Sequence, residues 1–176
     1  MDLRYPIGRF QRPTEISAGE RADYIEAIAA APAAFSDAIR GLDNAQLDTP
    51  YRPEGWTVRQ VVHHVPDSHL NAYIRFKLAL TEQNPTIKPY SENLWAELPD
   101  SRSPLVAESL AILTGVHARW TFMMRAMTPA EFSRTFVHPD HPGAPMTLDV
   151  VLAMYAWHGR HHAGHINALR DRMGWR

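Results

Sequence analysis

Four of the ten histidines in this 176-residue chain lie within eight residues near the C-terminus, at His158, His161, His162 and His165. Successive residues on an α-helix are about 100° apart, so all four fall within an arc of roughly 100°. The apolar side chains of this segment share the arc, which predicts that it faces the core. Buried imidazoles cannot all be charged, and each needs partners for its ring nitrogens. A divalent metal would satisfy several at once, so the pattern predicts a metal-binding helical protein.

Composition excludes several other classes of protein. The formal net charge is −1 and the charged residues are scattered, which indicates no surface for nucleic acid or for an anionic membrane. No stretch approaches 18 apolar residues and the first residues lack a signal-peptide pattern, so we expect a cytoplasmic protein. The chain contains no cysteine, so any thiol in its chemistry must arrive as a substrate. Its length suits one domain over 1–176.

Helix-start signals divide the chain into four long helices. Capping boxes at Ser17–Glu20 and Thr57–Gln60 open the first two, and Gly174 is well placed to end the last. The predicted helices cover residues 18–42, 58–83, 104–127 and 148–173. Pro32 and Pro66 are expected to bend the first two. No convincing alternating strand is present, so we predict an all-α four-helix bundle.

The connections carry further expectations. Helices two and three are joined by a long connection from Asn84 to Ser103, in which we expect a short helix near 92–98. Another short helix should begin at Thr128-Pro129, and residues 136–143 should be irregular. We expect residues 1–16 to form an extended N-terminal arm that lies on the bundle surface or on a partner.

The spacing of the histidines alone does not decide which of them bind the metal. His158 and His162 are spaced i, i+4, but so are His161 and His165. A third ligand must come from another helix, and helix two offers His63, His64 and His69. His64 begins a stripe with Asp67, Ser68, Asn71 and Arg75, although such a stripe is more often a solvated face. His117 on helix three is in register with apolar residues and is more typical of a core side chain.

Two runs of sequence resemble the DinB/YfiT-like superfamily, and its YfiT branch in particular. They are Tyr51 to His64 (YRPEGWTVRQVVHH) and Trp157 to His165 (WHGRHHAGH), supported by shorter matches near both ends of the chain. The resemblance implies a four-helix bundle with one divalent metal per chain, zinc or nickel, bound by His64, His158 and His162. It also implies a homodimer. The branch is usually described as metal-dependent hydrolases, and related members are S-transferases that use small thiols such as bacillithiol.

One departure from the family pattern lies beside the predicted ligand on helix two. Val65-Pro66 stands where the family more often has Leu-Ala. A proline there should kink the helix, and this would shift the metal or turn a backbone carbonyl towards the pocket.

Three neutral imidazoles would leave the metal an open position, where bound water or a bound thiol ionises readily. Asp67 could then orient a ligand or act as a base, and Arg75 could hold a carboxylate-bearing substrate. The first expectation is therefore a small-thiol S-transferase acting on a small-molecule substrate. The alternatives are a metal-dependent hydrolase and a non-catalytic bundle whose metal only joins helices. A fourth protein ligand, such as His161, His165 or His117, would favour the non-catalytic bundle.

Overall fold

The computed structural model describes residues 2–140, 143 and 145–175. The helices, numbered along the chain, are α1 (Ala18–Ile39), α2 (Asn44–Leu47), α3 (Val58–Thr81), α4 (Glu92–Trp95), α5 (Val106–Ala126), α6 (Pro129–Phe132) and α7 (Leu148–Met173). A 3-10 turn spans Asp100–Arg102. Two short strands, β1 (Thr135–Phe136) and β2 (Met146–Thr147), pair antiparallel, with Thr135 opposite Thr147. The predicted all-α fold is confirmed, with this two-residue ladder as a small addition.

The capping signals placed the helix starts well. Ser17 and Thr57 each accept a hydrogen bond from the backbone of the residue three positions later, in complete capping boxes. Gly174 ends α7 in the left-handed conformation, with φ +67°. Helix α5 begins at Val106, two residues later than predicted, because Ser103 caps the backbone of Leu105 outside the helix.

The four long helices form a closed ring in which α1 and α3 each pack against both α5 and α7. An ion pair from Arg21 to Asp149 joins α1 to α7, with both oxygen–nitrogen distances 2.8 Å. Two apolar clusters fill the bundle, one around Phe76 and Trp120 and one around Phe35 and Ile166. Along α3, α5 and α7 the residues between these clusters include polar ones. The functional side chains occupy this middle layer.

The two prolines that are predicted to bend helices lie inside α1 and α3, and the bends themselves stay predictions. Helices α1 and α3 continue without interruption through Pro32 and Pro66. A proline removes one N–H from the helix ladder, but packing on both sides of the bundle holds the remaining bonds in place.

The N-terminal arm packs on its own bundle, which decides between the two predicted positions. Its first residues form tight turns, with the Gly8 amide bonded to the Tyr5 carbonyl at 3.0 Å. Trp157 of α7 donates its indole N–H to the Gly8 carbonyl at 3.2 Å. Gly164 allows close approach, since a Cβ there would lie 3.1 Å from Ile7 Cγ2. The arm therefore forms part of the surface around α7.

The long connection between α3 and α5 is attached to α3 by Gln60, which donates to the Ala96 carbonyl at 2.8 Å. Its helix α4 is shorter than the predicted 92–98. In the predicted irregular segment 136–143, residues 141 and 142 lie outside the described residues. None of the described helices is both long and apolar enough to cross a membrane.

Candidate metal centre

Three histidines from two helices converge in the middle layer. His64 lies on α3, and His158 and His162 lie one turn apart on α7. One potential ligand atom from each lies within 4.8 Å of those of the other two. The ring centroids are 5.5 Å apart for His64 and His158, 5.0 Å for His64 and His162, and 4.5 Å for the α7 pair. We call these three residues the histidine triad.

Burial keeps the histidine triad neutral at physiological pH. Desolvation lowers the pKa of His64 from 6.5 to about 4 and holds the pKa values of His158 and His162 well below 6.5. A neutral imidazole has one unprotonated nitrogen, which is the form that binds a metal. The donor set is therefore of the kind that zinc and other borderline divalent metals prefer.

A row of hydrogen-bonded histidines starts at the Nδ1 atom of His158. His158 Nδ1 lies 3.1 Å from His69 Nε2, and His69 Nδ1 lies 2.8 Å from His117 Nε2. The row ends where His117 Nδ1 meets the Ile28 carbonyl oxygen at 2.6 Å. We call His158, His69 and His117 the histidine row.

The end of the histidine row assigns the tautomer of every member. The Ile28 carbonyl can only accept, so His117 must donate from Nδ1, and its neutral ring then accepts at Nε2. His69 therefore donates from Nδ1 and accepts at Nε2. His158 in turn donates from Nδ1, which leaves its Nε2 lone pair free for the triad. Hydrogen bonds of this kind orient metal-binding histidines and raise their basicity.

Pro32 explains why the Ile28 carbonyl is available. In an α-helix the carbonyl of residue 28 would accept from the amide of residue 32. Pro32 has no N–H, so α1 leaves this buried carbonyl without its usual helical donor. His117 of α5 supplies the missing hydrogen bond. Pro32 thus frees the acceptor at the end of the histidine row.

A cleft of about 680 Å³ opens beside the histidine triad, between α3, α7, the N-terminal arm and the long connection. Its buried wall includes Ser68, Arg75 and Tyr155, all of which can donate hydrogen bonds. The carboxylates that line it, from Glu54, Glu92 and Asp140, belong to exposed residues. Within the described part of the chain, the cleft thus combines a buried wall of hydrogen-bond donors and histidines with a rim of carboxylates and arginines.

The structure divides the predicted stripe that begins at His64, which lies on α3. His64, Ser68 and Arg75 line the cleft, so this part of the stripe is buried and is not a solvated face. Asp67, which was predicted to orient a ligand or act as a base, does not line the cleft. It is half-buried, and desolvation together with the charge of Asp100 raises its pKa to about 6. Its position gives no support to a direct role at the metal.

The other candidate ligands have different partners. His63 bonds to Ser109 Oγ at 2.7 Å and to the Ser103 carbonyl at 3.0 Å. His117 belongs to the histidine row, and His161 and His165 line the cleft without joining the converging group. Among the described residues no fourth histidine or carboxylate completes the group. A metal in the histidine triad would therefore keep an open position.

Sequence reasoning missed the contributions of His69, Tyr155 and the N-terminal arm. His69 was predicted only as an alternative ligand, and the structure buries it completely between His117 and His158. Tyr155 lies on the apolar arc of its helix, and its ring is 5.5 Å from that of His158 and lines the cleft. Arg4 and Tyr5 of the arm also line the cleft.

Comparison with known proteins agrees with this geometry. The family model described as the DinB superfamily matches residues 27–166. The chain belongs to the DinB superfamily. This membership confirms the resemblance seen in the two sequence runs.

Several DinB superfamily relatives match almost the whole chain. A Bacillus mycoides protein (strain KBAB4) and a Bacillus cereus protein (strain B4264), both named "Putative metal-dependent hydrolase", are each 52% identical over 174 residues, covering 99% of both chains. The structure of YfiT from Bacillus subtilis superposes with a TM-score of 0.97 at 46% identity and covers 100% of both chains. It is described as "a probable metal-dependent hydrolase with an unusual four-helix bundle topology".

Proposed function

We propose that this DinB superfamily protein is a metal-dependent enzyme in which His64, His158 and His162 bind one divalent ion, zinc or nickel. The observation that carries the proposal is the convergence of three neutral imidazoles beside a cleft, with no fourth protein ligand among the described residues. Bound there, the ion supplies a Lewis acid that ionises a thiol or a water molecule. The names of the relatives support an enzyme.

We propose S-transfer from a small thiol as the reaction. Hydrolysis needs a group that accepts a proton from water. The buried wall of the cleft offers the donors Ser68, Arg75 and Tyr155. Burial lowers the pKa values of two further buried histidines that line it, His161 and His165, which makes both weak bases. A thiol is far more acidic than water and needs no such base. Its sulfur would attack a carbon electrophile and form a C–S bond. The leaving group would depart with its electron pair, and the thiol proton would pass to solvent.

A metal-dependent hydrolase is the second candidate, and the names of the relatives favour it. Here one of the rim carboxylates would take the proton from water. The proposed roles differ for Arg75, which would hold a charged thiol in the first case and a carboxylate-bearing substrate in the second. Asp67 has no proposed part in either reaction, because it lies outside the cleft.

One assay separates the reactions. Metal-loaded protein is incubated with carbon electrophiles and with bacillithiol, other small thiols or no thiol, and the products are identified by mass spectrometry. Conjugates should require both metal and thiol, and His64→Ala should abolish them. Ester or amide turnover without thiol, in the absence of any conjugate, would establish the hydrolase.

A third outcome of the same assay addresses the non-catalytic bundle. If neither reaction occurs while chelation lowers the melting temperature, the metal serves to join α3 to α7. The homodimer stays a prediction. Light scattering coupled to size-exclusion chromatography tests it by measuring the molar mass of the protein in solution.

A further inference from the structure

Arg75 is a buried cation without a partner. Its side chain extends from α3 and the residue is only 8% exposed. Within the described part of the chain it makes no ion pair or hydrogen bond, although the other buried arginine, Arg59, pairs with Asp48. Its guanidinium nitrogens remain in contact with the cleft. The charge therefore faces the cleft and is not enclosed in the core.

Such an arrangement costs stability. Arginine is almost never buried unless it is paired, because desolvation of a lone charge is expensive. The hydroxyl groups nearest to it cannot supply the missing negative charge. Burial raises the pKa values of Tyr90, to about 12, and of Tyr155, so both phenols stay neutral. Ser68 donates to Tyr155 at 3.5 Å, which leaves this neutral polar group beside the cation.

We propose that Arg75, with the hydroxyls of Tyr90 and Tyr155, binds the anionic end of the substrate, a carboxylate or a phosphate. This inference rests on the proposed function, because the other end of the substrate must reach the histidine triad. Ionised oxygens form short, strong and often bidentate bonds to a guanidinium. A bound anionic substrate would thus supply the negative charge that Arg75 lacks in the protein alone.

The geometry of α3 sets the length of the substrate. Arg75 lies eleven residues after His64, which is about 16 Å along the axis and about 20° around it. Both residues line the cleft, and the longer side chain of Arg75 can cover part of the axial distance towards His64. The acidic group and the reacting atom should therefore be separated by on the order of 10 Å.

A matched pair of thiols tests the proposal. Titration of Co²⁺-loaded protein with 6-mercaptohexanoate and with 6-mercaptohexan-1-ol gives two affinities from the sulfur-to-cobalt absorption band. The two probes have the same six-carbon chain and differ at the far end, which is a carboxylate in one and a neutral hydroxyl group in the other. The carboxylate should bind roughly tenfold more tightly or better, and equal affinities would overturn the proposal.

Variants show whether the preference belongs to Arg75. In Arg75→Gln the ratio of affinities should fall below about twofold. Arg52→Gln is the control, because Arg52 also lines the cleft but already donates to the Pro53 carbonyl. It removes the same charge and should keep the ratio. Loss of the ratio in Arg52→Gln alone would assign the preference to the general field of the cleft and contradict the proposal.

The stability of Arg75→Gln gives an independent readout. Removal of an unpaired buried charge should raise the melting temperature of metal-free protein, by about 2–4 °C for a chain of this size. A lowered melting temperature would reveal a structural partner and count against the proposal. Arg75→Lys keeps the charge without the planar fork, and should retain only part of the affinity ratio.

A metal-independent measurement separates this inference from the proposed function. Hexanoate and hexyl phosphate are added to ¹⁵N-labelled protein while the Arg75 Nε–Hε signal is followed. If no thiol produces the cobalt band but one of these anions shifts that signal, the S-transferase fails and the anion subsite stands. A shift with only one anion identifies the acidic group. No shift with either would overturn the proposal.

Discussion

Two pairs of histidines with the same i, i+4 spacing lie on one face of α7, yet their surroundings differ. His158 and His162 face His64 across the α3–α7 interface, and His158 is bonded to the histidine row. His161 and His165 face the N-terminal arm and the aromatic residues around it. His165 Nε2 bonds to the Arg4 carbonyl at 3.1 Å, and its ring stacks on Tyr51 at 4.0 Å.

This difference shows what spacing on one helix can and cannot do. Both pairs could present two nitrogens to a metal, and both are kept neutral by desolvation, with the pKa of His161 lowered to about 4. Among the residues that the structure describes, only the first pair meets a third histidine from another helix. One nitrogen of His165 is instead committed to the backbone of the arm. The neighbouring elements therefore divide one histidine stripe into a candidate metal centre and an arm-binding surface.

The largest expected effect comes from removal of the pair His158 and His162. His158→Ala/His162→Ala should reduce metal content from about one ion per chain to near zero, because only one triad ligand remains. Elemental analysis of purified protein measures this directly. His161→Ala/His165→Ala is the matched control and should retain its metal. Metal retained in the first variant would contradict the assignment of His158 and His162 as ligands. Metal lost only from the second variant would assign that role to His161 and His165.

The histidine row should have a smaller effect on metal affinity. His69→Ala removes the acceptor that fixes His158, so metal affinity should fall about 10–100-fold without loss of a ligand. Competition with a chelator of known affinity gives the change. His63→Ala is the control, since His63 is a similarly buried histidine on α3 that bonds to Ser109 instead.

Nitrogen NMR adds a readout that is specific for the tautomer. In the wild-type protein His158 should carry its proton on Nδ1, whereas His69→Ala should populate both tautomers. An unchanged tautomer with unchanged affinity would show that the histidine row only fills the core.

The smallest expected effect is the pH dependence of stability in metal-free protein. The folded-state pKa of His64 is about 4, below the unfolded value of 6.5, so the unfolded state binds more protons between these values. This contribution to stability is complete above pH 6.5 and is lost as the pH falls towards 4. Asp67 has the opposite sign, because its pKa is raised to about 6, but several histidines outweigh one carboxyl.

Melting curves between pH 4 and 7 compare the two pairs. The slope should become shallower in both double variants, because burial lowers the pKa values of all four of these histidines. Zinc should move the loss of stability to lower pH, since bound metal competes with protons. Equal slopes in all three metal-free proteins would contradict this assignment of the titrating groups.

The sequence by itself determined the helices and their buried faces. Local interactions within a few residues form the capping boxes at Ser17 and Thr57 and end the last helix at Gly174. They can therefore be predicted from the sequence without knowledge of the packing. The histidine stripe of α7 followed from helical periodicity. The resemblance to the DinB/YfiT-like superfamily added the set His64, His158 and His162, which the structure brings together.

Only the tertiary structure decided which members of each stripe share a site. Asp67 and Arg75 follow His64 on one stripe, but α3 turns only Arg75 into the cleft. The histidine row joins residues 48 and 89 positions apart, and its last acceptor depends on a proline in α1. Helical periodicity assigns a side chain to one face of its helix, an arc of about 100°. The partners that a side chain meets on that face come from elements distant in sequence. Their identity is a property of the packed bundle, which no single helix contains.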